Sequence, residues 1–321
     1  MAASDGSRRP TVTVAVSTYR RPHLLPRLIA ALEAQTIARD VELVIVDDAS
    51  GDDTSEVLRT LAESTSFPMR VIVAARNGGP AVGRNLAWRA GTGEIVAFTD
   101  DDCVPQPGWL EAGALACRPG TLVVGRTAPA PDQEGNEGPY SRTLRVDDAR
   151  FMQTCNVFYR RDELERLDGF AESFRTGEDT DLGLRATESG VRAEFVPTAL
   201  VYHDIRPSDL RAKLRESRSW VDLPLVVRRH PQVRSGYLHR RLFWKRTHPL
   251  VILLWAGALL AFVWPVALVA ALPWLYRRLL VEPLSPSVTG RLGTLVGALL
   301  VDSTEVVTMV RGSLRHKALV L

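Results

Sequence analysis

At 321 residues the chain exceeds one average domain and can bury a sizeable core, so one α/β domain with an appended segment is the expected organisation. The net charge of +3 is unevenly distributed: residues 1–205 carry 22 basic and 31 acidic side chains, whereas residues 206–246 carry 12 and 3. Because this basic strip leads directly into apolar sequence, it indicates an anionic membrane surface and argues against nucleic acid as a partner. Cys103, Cys117 and Cys155 show no CxxC or metal-ligand spacing, which argues against a disulfide framework or a zinc site and fits a reducing compartment.

The first hundred residues alternate between strand and helix patterns. No apolar run near residues 1–10 is long enough for a signal peptide, so we predict a disordered N-terminus and a domain over residues 11–205 that stays in the cytosol. Short β-branched or apolar runs predict four strands, Thr11–Tyr19, Val41–Asp48, Met69–Ala75 and Gly93–Asp102. Helical spacing of apolar residues predicts helices between them, Pro22–Gln35, Thr54–Thr65 and Ala81–Ala90. This alternation is typical of a mostly parallel sheet with helices on both faces.

Polar residues follow three of these strands, at Ser17–Tyr19, Asp47–Ser50 and Asp100–Asp102. Ligands of doubly wound sheets bind beyond the carboxyl ends of the strands, so these residues are expected to form one site. Farther along, the Pro/Gly-rich stretch Thr127–Pro139 predicts a polar loop that is a candidate lid, and residues 156–205 return to strand and helix patterns.

The C-terminal third is apolar. Pro249–Tyr276 has no charged residue over 28 positions, enough for about 42 Å of helix, and predicts a membrane span in which Pro265 permits a kink or a re-entrant shape. Leu292–Val310 contains Asp302 and Glu305, which leaves a second span and an amphipathic surface helix both open. We favour two spans, because the basic tail would then return to the side of the basic juxtamembrane segment 206–248, as the positive-inside rule requires.

Three consecutive aspartates, Asp100, Asp101 and Asp102, end the fourth predicted strand. Adjacent carboxylates repel one another, and a divalent cation such as Mg²⁺ or Mn²⁺ is the usual remedy. In an extended segment Asp100 and Asp102 would point the same way and Asp101 elsewhere. A solvated turn or helix cap is the alternative interpretation.

Five motifs in order carry a family resemblance: VSTYRRPHLLPRLIAALEAQ, VIVDDASGDDT, GGPAVGRN, VAFTDDDCVPQPGWLE and GEDTDLGLR. Together they resemble the family 2 glycosyltransferases, which implies an inverting enzyme with the GT-A fold, a Rossmann-like mixed sheet flanked by helices. The resemblance covers about two-thirds of the chain, and the remainder, residues 249–321, is predicted to be membrane-associated. It implies a nucleoside-diphosphate sugar as donor, with UDP favoured, and a divalent metal.

The resemblance also implies roles for individual residues. Ser17, Tyr19 and Asp48 would hold the nucleotide base, and Arg84 the donor pyrophosphate. Asp100 and Asp101 would lie at the donor, with Asp100 and Asp102 as metal ligands and Asp102 the more direct one. A rim aromatic and a helix-surface arginine are the alternatives for Tyr19 and Arg84.

Glu178 and Asp179 match the acidic pair of the family, whose aspartate is the general base, so Asp179 is our candidate for that role. His203 stands where relatives carry a histidine that completes the metal shell. Acids at a helix start also cap the helix, and a lone histidine after a strand is often structural, so both alternatives stay open.

Transfer to a hydroxyl of a membrane-proximal, lipid-linked or other envelope acceptor is the expected function, at the cytoplasmic face of a bacterial-type plasma membrane. The motif QxxRW of processive synthases is not reproduced, since RESRSW at Arg215–Trp220 is only a loose echo, so transfer of one or a few sugars is expected. A nucleotidyltransferase of similar fold and a non-catalytic membrane scaffold are the alternatives.

Overall fold

A computed structural model describes residues 12–37, 41–135, 137–285 and 287–321, so the N-terminal segment predicted to be disordered lies outside the described residues. The chain forms two compact units. One comprises Met1–Glu134 and Thr143–Ile205, and the other comprises Gly135–Arg142 and Arg206–Leu321.

The first unit is built on an eight-stranded mixed sheet. Its strands are β1 Val12–Thr18, β2 Val41–Asp47, β3 Met69–Val73, β4 Ile95–Thr99, β5 Cys103–Pro105, β6 Thr121–Pro129, β7 Asn156–Arg160 and β8 Arg192–His203. Their order is β3-β2-β1-β4-β7-β6-β8-β5. Strands β1 to β4 run parallel, β7 is antiparallel to both β4 and β6, β6 and β8 are parallel, and β5 is antiparallel to β8. The predicted mixed α/β sheet is therefore confirmed.

Helices flank this sheet: α1 Leu25–Glu33, α2 Thr54–Ser64, α3 Pro80–Ala90, α4 Trp109–Ala116, α5 Arg161–Arg166 and α6 Glu178–Glu188. Helix α1 buries Leu25, Leu28, Ile29 and Leu32, which share one face at helical spacing. Strand β4 is buried at every position, as expected of a central strand covered on both faces.

Two predicted boundaries in this unit are wrong. The strand predicted over Gly93–Asp102 ends at Thr99, and Asp100–Asp102 form a turn before β5. The alternation argument for these aspartates therefore does not apply, because it requires extended backbone. The loop predicted over Thr127–Pro139 begins as strand, because β6 continues to Pro129 alongside β8.

The second unit is helical. Its helices are α7 Leu210–Ser219, α8 Leu223–Arg229, α9 Val233–Gly236, α10 His248–Leu260, α11 Leu272–Tyr276 and α12 Val288–His316. Val251, Trp274 and Ala298 form a buried apolar cluster that joins α10, α11 and α12.

The apolar run Pro249–Tyr276 is not one continuous helix, and the interruption leads up to Pro265, where the sequence permits a kink or a re-entrant shape. Helix α10 ends at Leu260, and a 3₁₀ segment from Pro265 to Ala271 precedes α11. Pro265 has no N–H to donate to the preceding turn, so it begins a new helical segment. Among the described residues, α12 is the helix long and apolar enough to cross a bilayer, although its Asp302 and Glu305 are fully buried within the protein.

Candidate active site

The carboxyl ends of β1, β2 and β4 lie along one edge of the sheet, because these strands are parallel neighbours. The predicted polar residues follow these strands. Helix α6 and the end of β8 bring further acidic and imidazole side chains to them.

Arg84 joins two of the predicted site residues. It is buried on α3 and donates from Nη1 to Glu178 Oε1 and from Nη2 to Asp100 Oδ1, both at 2.7 Å. These two carboxylates raise the pKa of Arg84 against the opposing effect of burial. The guanidinium predicted to bind pyrophosphate thus also ties the first aspartate of the DDD sequence to the start of α6.

Helix α6 begins with the acidic pair. Gly177, with φ of +90°, precedes it in a left-handed conformation that suits glycine. Burial, followed by the negative charge of Asp179, raises the pKa of Glu178 to about 7, and Arg84 opposes this shift. Burial also raises the pKa of Asp179, while Arg84 lowers it. The Oδ1 atom of Asp179 accepts the backbone N–H of Thr180 at 2.7 Å, which fixes the direction of this carboxylate.

Asp101 has other partners than Asp100, which binds Arg84. Its Oδ2 accepts the Thr18 hydroxyl at 2.7 Å and its Oδ1 accepts Arg21 Nη1 at 2.7 Å. The same Arg21 nitrogen is 3.7 Å from Asp102 Oδ2. Arg21 therefore compensates two adjacent carboxylates, and burial still raises the pKa of Asp101.

Asp102 and His203 form a candidate metal centre. His203 is buried, its Nε2 lies 3.5 Å from Asp102 Oδ1, and its Nδ1 lies 2.9 Å from the carbonyl oxygen of Asp204. A carbonyl oxygen can only accept, so Nδ1 carries a proton, and in the neutral imidazole the lone pair is then on Nε2, which faces the carboxylate. An imidazole oriented in this way beside a carboxylate suits Mn²⁺ or Mg²⁺, and the two ligands leave other positions of such an ion for phosphate oxygens.

Cys103 completes a group whose possible ligand atoms lie within 4.8 Å of one another, together with Asp102 and His203. The spacing in the sequence did not show that Cys103 lies in this group, because β5 pairs it directly with His203, a hundred positions away in sequence. Burial raises the pKa of its thiol well above the usual value. A neutral thiol is a poor ligand for Mn²⁺ or Mg²⁺, so the carboxylate and imidazole fit the metal and the cysteine does not.

The predicted base-binding residues have defined surroundings. Asp48 accepts the backbone N–H groups of Gly78 and Gly79, each at 2.8 Å, and so fixes the turn before α3. Tyr19 is 39% exposed, with the Arg20 guanidinium 5.2 Å from its ring centroid.

Ser17 faces α3 at Gly83, where an added Cβ would lie only 2.1 Å from its hydroxyl. The close approach of β1 and α3 thus requires glycine at this position.

The predicted residues around the DDD turn fall into two groups. One consists of Arg84, Asp100, Glu178 and Asp179, and the other consists of Asp101, Asp102 and His203. The consecutive aspartates link the two groups. Asp100, a predicted metal ligand, contacts Arg84 and is not in the candidate metal centre.

Sequence reasoning missed Arg21 and Thr18. Both lie in the first motif, VSTYRRP, but their contacts with Asp101 connect residues about eighty positions apart. The signal in the sequence was the run of three adjacent carboxylates, Asp100 to Asp102, which requires a cation nearby.

Two family models match the chain. The model described as glycosyl transferase family 2 matches residues 13–177, and the model described as glycosyl transferase family group 2 matches residues 141–286. The first match covers more than half of the chain and includes the DDD turn and the carboxyl ends of β1, β2 and β4.

The chain belongs to glycosyltransferase family 2.

Curated relatives and solved structures agree with this assignment. The chain is 28% identical over 81% of its length to pre-mycofactocin glycosyltransferase of Mycobacterium tuberculosis, and spans 53% of that protein. It is 27% identical over 63% of its length to glycosyltransferase AglE of Haloferax volcanii, and spans 69% of that protein.

The solved structures show the fold. Mannosyltransferase PcManGT of Pyrobaculum calidifontis, in complex with GDP-Man and Mn²⁺, superposes with a TM-score of 0.60 at 22% identity, covering 97% of this chain and 88% of that one. TarS residues 1–349 of S. aureus, in complex with UDP, superposes with a TM-score of 0.54 at 18% identity, covering 96% and 92%. The chain thus has the predicted GT-A fold.

Proposed function

We propose that this family 2 member is an inverting glycosyltransferase that moves a sugar from a nucleoside-diphosphate sugar to a hydroxyl group of a membrane-proximal acceptor. The observation that carries the proposal is the pairing of Asp102 Oδ1 with His203 Nε2 at 3.5 Å, with the proton of the imidazole held on Nδ1. This is a ligand pair for a divalent cation at the edge of the sheet where the family binds its donor.

We assign the steps of the reaction to individual residues of the chain. Mn²⁺ or Mg²⁺ held by Asp102 and His203 would stabilise the charge that develops on the departing nucleoside diphosphate. Asp179 accepts the proton of the attacking hydroxyl, because its position at the start of α6 is fixed by Thr180 and burial makes its carboxylate more basic. Arg84 keeps Glu178 and Asp100 in place beside it.

Attack from the face opposite the diphosphate inverts the anomeric configuration. UDP is the nucleotide we favour, with Ser17, Tyr19 and Asp48 at the base and Asp100 and Asp101 along the rest of the nucleoside. The structural neighbours bound to GDP-Man and to UDP make donors of both nucleotides the first to test. A lipid-linked acceptor at the cytoplasmic face of a bacterial plasma membrane fits the basic strip of residues 206–246.

The test is release of free nucleoside diphosphate by the purified full chain from UDP-, GDP- and dTDP-sugars with Mn²⁺ or Mg²⁺, since transferases hydrolyse their donor slowly without acceptor. We expect metal-dependent release from one donor, reduced about 10²- to 10⁴-fold by Asp179→Asn with donor affinity retained.

The matched control is Glu188→Gln, at the other end of the same helix, which should release the nucleotide at the wild-type rate. Absence of both release and calorimetric binding for every donor would contradict the proposal and favour the non-catalytic scaffold.

A further inference from the structure

The apolar segment after the basic strip forms a helical hairpin. Helix α10 and the 3₁₀ segment from Pro265 touch at Gly257, where an added Cβ would lie 2.6 Å from the Ala267 carbonyl oxygen and 2.6 Å from Ala270 Cβ. The two arms therefore pack directly against each other. The chain reverses at residues 261–264, which we call the hairpin tip.

The hairpin tip is apolar and exposed. Phe262 is 91% exposed, Val263 71% and Trp264 63%. The arms add further exposed apolar side chains, namely Leu259, Leu260, Val266, Leu268, Val269 and Leu272. A contiguous run of large apolar side chains on this scale is not left in water by soluble proteins and marks an interaction surface.

The base of the hairpin is cationic. Arg246 precedes α10 and Arg277 follows α11, so both lie at the end of the hairpin opposite its tip. Burial and then the positive charges of Arg240, Arg246 and Arg277 lower the pKa of His239, so the three arginines lie near this residue, where Arg277 also pairs with Glu282. In an anionic bilayer the apolar tip would contact the acyl chains and the cationic base would contact the headgroups.

Buried ion pairs fix this base to α12. Arg278 donates through Nε to Asp302 Oδ2 at 2.8 Å, and Trp274 Nε1 donates to the same oxygen at 2.8 Å. Lys245 Nζ donates to Glu305 Oε1 at 2.8 Å. Both acids of α12 are thus satisfied by protein groups from the two ends of the hairpin. This arrangement makes α12 a structural support for the hairpin, because its two acidic side chains join it to both ends of the hairpin.

The length of the hairpin fits one leaflet. Helix α10 has 13 residues, about 20 Å of helix, which is too short for the hydrocarbon core of about 30 Å and close to the thickness of one leaflet with its headgroups, about 20 Å. We propose that the α10–α11 hairpin inserts its tip into a single leaflet of an anionic bilayer and that neither the hairpin nor α12 spans the membrane.

The first test is flotation of the full chain with preformed vesicles of phosphatidylcholine, with and without phosphatidylglycerol. Wild type should float with anionic vesicles. Phe262→Asp should lower the partition coefficient about a hundredfold, since a charge would have to enter hydrocarbon. The control Leu115→Asp changes another exposed apolar residue, on α4 of the first unit, and should leave flotation unchanged.

Removing charge at the base tests the headgroup contact separately. Arg240→Gln combined with Arg246→Gln should lower binding to anionic vesicles about thirtyfold at low salt and leave binding to neutral vesicles unchanged. Equal flotation of wild type and Phe262→Asp would overturn the proposal. So would self-association of the lipid-free chain together with no vesicle binding, which would assign the apolar surface to a second copy.

The second test distinguishes insertion from spanning. The native cysteines are buried, so Glu282→Cys provides one accessible thiol between the hairpin and α12. Added to the outside of sealed vesicles, an impermeant maleimide should label it fully if the hairpin enters one leaflet. Labelling only after detergent would show that the segment crosses the bilayer and would overturn the proposal. Neither test depends on transferase activity.

Discussion

The Glu178 carboxyl makes the stability of the first unit depend on pH, and Glu178→Gln should remove that dependence. Burial, followed by the charge of Asp179, raises the pKa of Glu178 from its ordinary 4.5 to about 7 in the folded chain, despite the bond from Arg84. Between these two values the folded state binds more protons than the unfolded state. Stability therefore falls as pH rises through this window. The pKa difference corresponds to about 3 kcal/mol of unfolding free energy.

Glutamine keeps an oxygen that accepts from Arg84 but does not titrate. The variant should therefore gain about 3 kcal/mol relative to wild type on going from about pH 4.5 to pH 8, whatever its stability at the starting pH. Titrations of groups that do not interact with Glu178 are shared by the two proteins and cancel, so the difference reports Glu178 together with its neighbour Asp179.

Urea unfolding of both proteins across this pH range, with EDTA present so that no metal charge contributes, measures that difference. Glu188→Gln, at the exposed end of the same helix, is the control for the substitution of a glutamate by glutamine. A constant difference between Glu178→Gln and wild type would refute the reasoning, because it would mean that Glu178 ionises in the folded chain as it does in the unfolded one.

Three further predictions concern neighbouring residues. Arg84→Met should lower the free energy of unfolding by about 3 kcal/mol at pH 8, measured with urea, because it leaves buried carboxylates uncompensated. The loss should be smaller at pH 5.5, where Glu178 is protonated, and an equal loss at both pH values would contradict this prediction. His203→Ala should weaken Mn²⁺ binding, measured by calorimetry with nucleotide present, about 10- to 100-fold or more, and unchanged affinity would remove His203 from the metal site. Gly83→Ala should destabilise the chain by about 1–3 kcal/mol, since the new methyl group would lie 2.1 Å from the Ser17 hydroxyl. If this contact is the cause, the further change Ser17→Gly should restore part of the lost stability.

Local patterns in the sequence were sufficient for the sheet and for the general location of the site. Strands β1, β2 and β4 are continuous apolar runs, so their positions and the polar residues after them could be predicted. Where β4 ends could not, because the turn at Asp100–Asp102 depends on contacts with Arg21, Thr18 and Arg84 from other elements.

The partners of the site residues could not be predicted because they are distant in sequence. Asp48 was expected to bind a base, yet its carboxylate also holds the turn at Gly78 and Gly79. Arg84 was expected at a pyrophosphate, yet it bridges two carboxylates, one from the turn after β4 and one from α6. Only the folded chain shows such pairings.

The same limit applies to the C-terminal third. Hydropathy reports that residues 249–276 are apolar but not whether they form one helix or two packed segments. The close approach at Gly257 and the break at Pro265 decide for two segments, and neither changes the hydropathy of the run.

The anomeric form of the first sugar released from an α-linked donor tests the central claim most directly. With Mn²⁺, the full chain and enough enzyme for release to outrun mutarotation, proton NMR reports which anomer appears first. A single displacement aided by Asp179 predicts the β anomer first, and its loss in Asp179→Asn. The α anomer appearing first would contradict an inverting mechanism and the role assigned to Asp179.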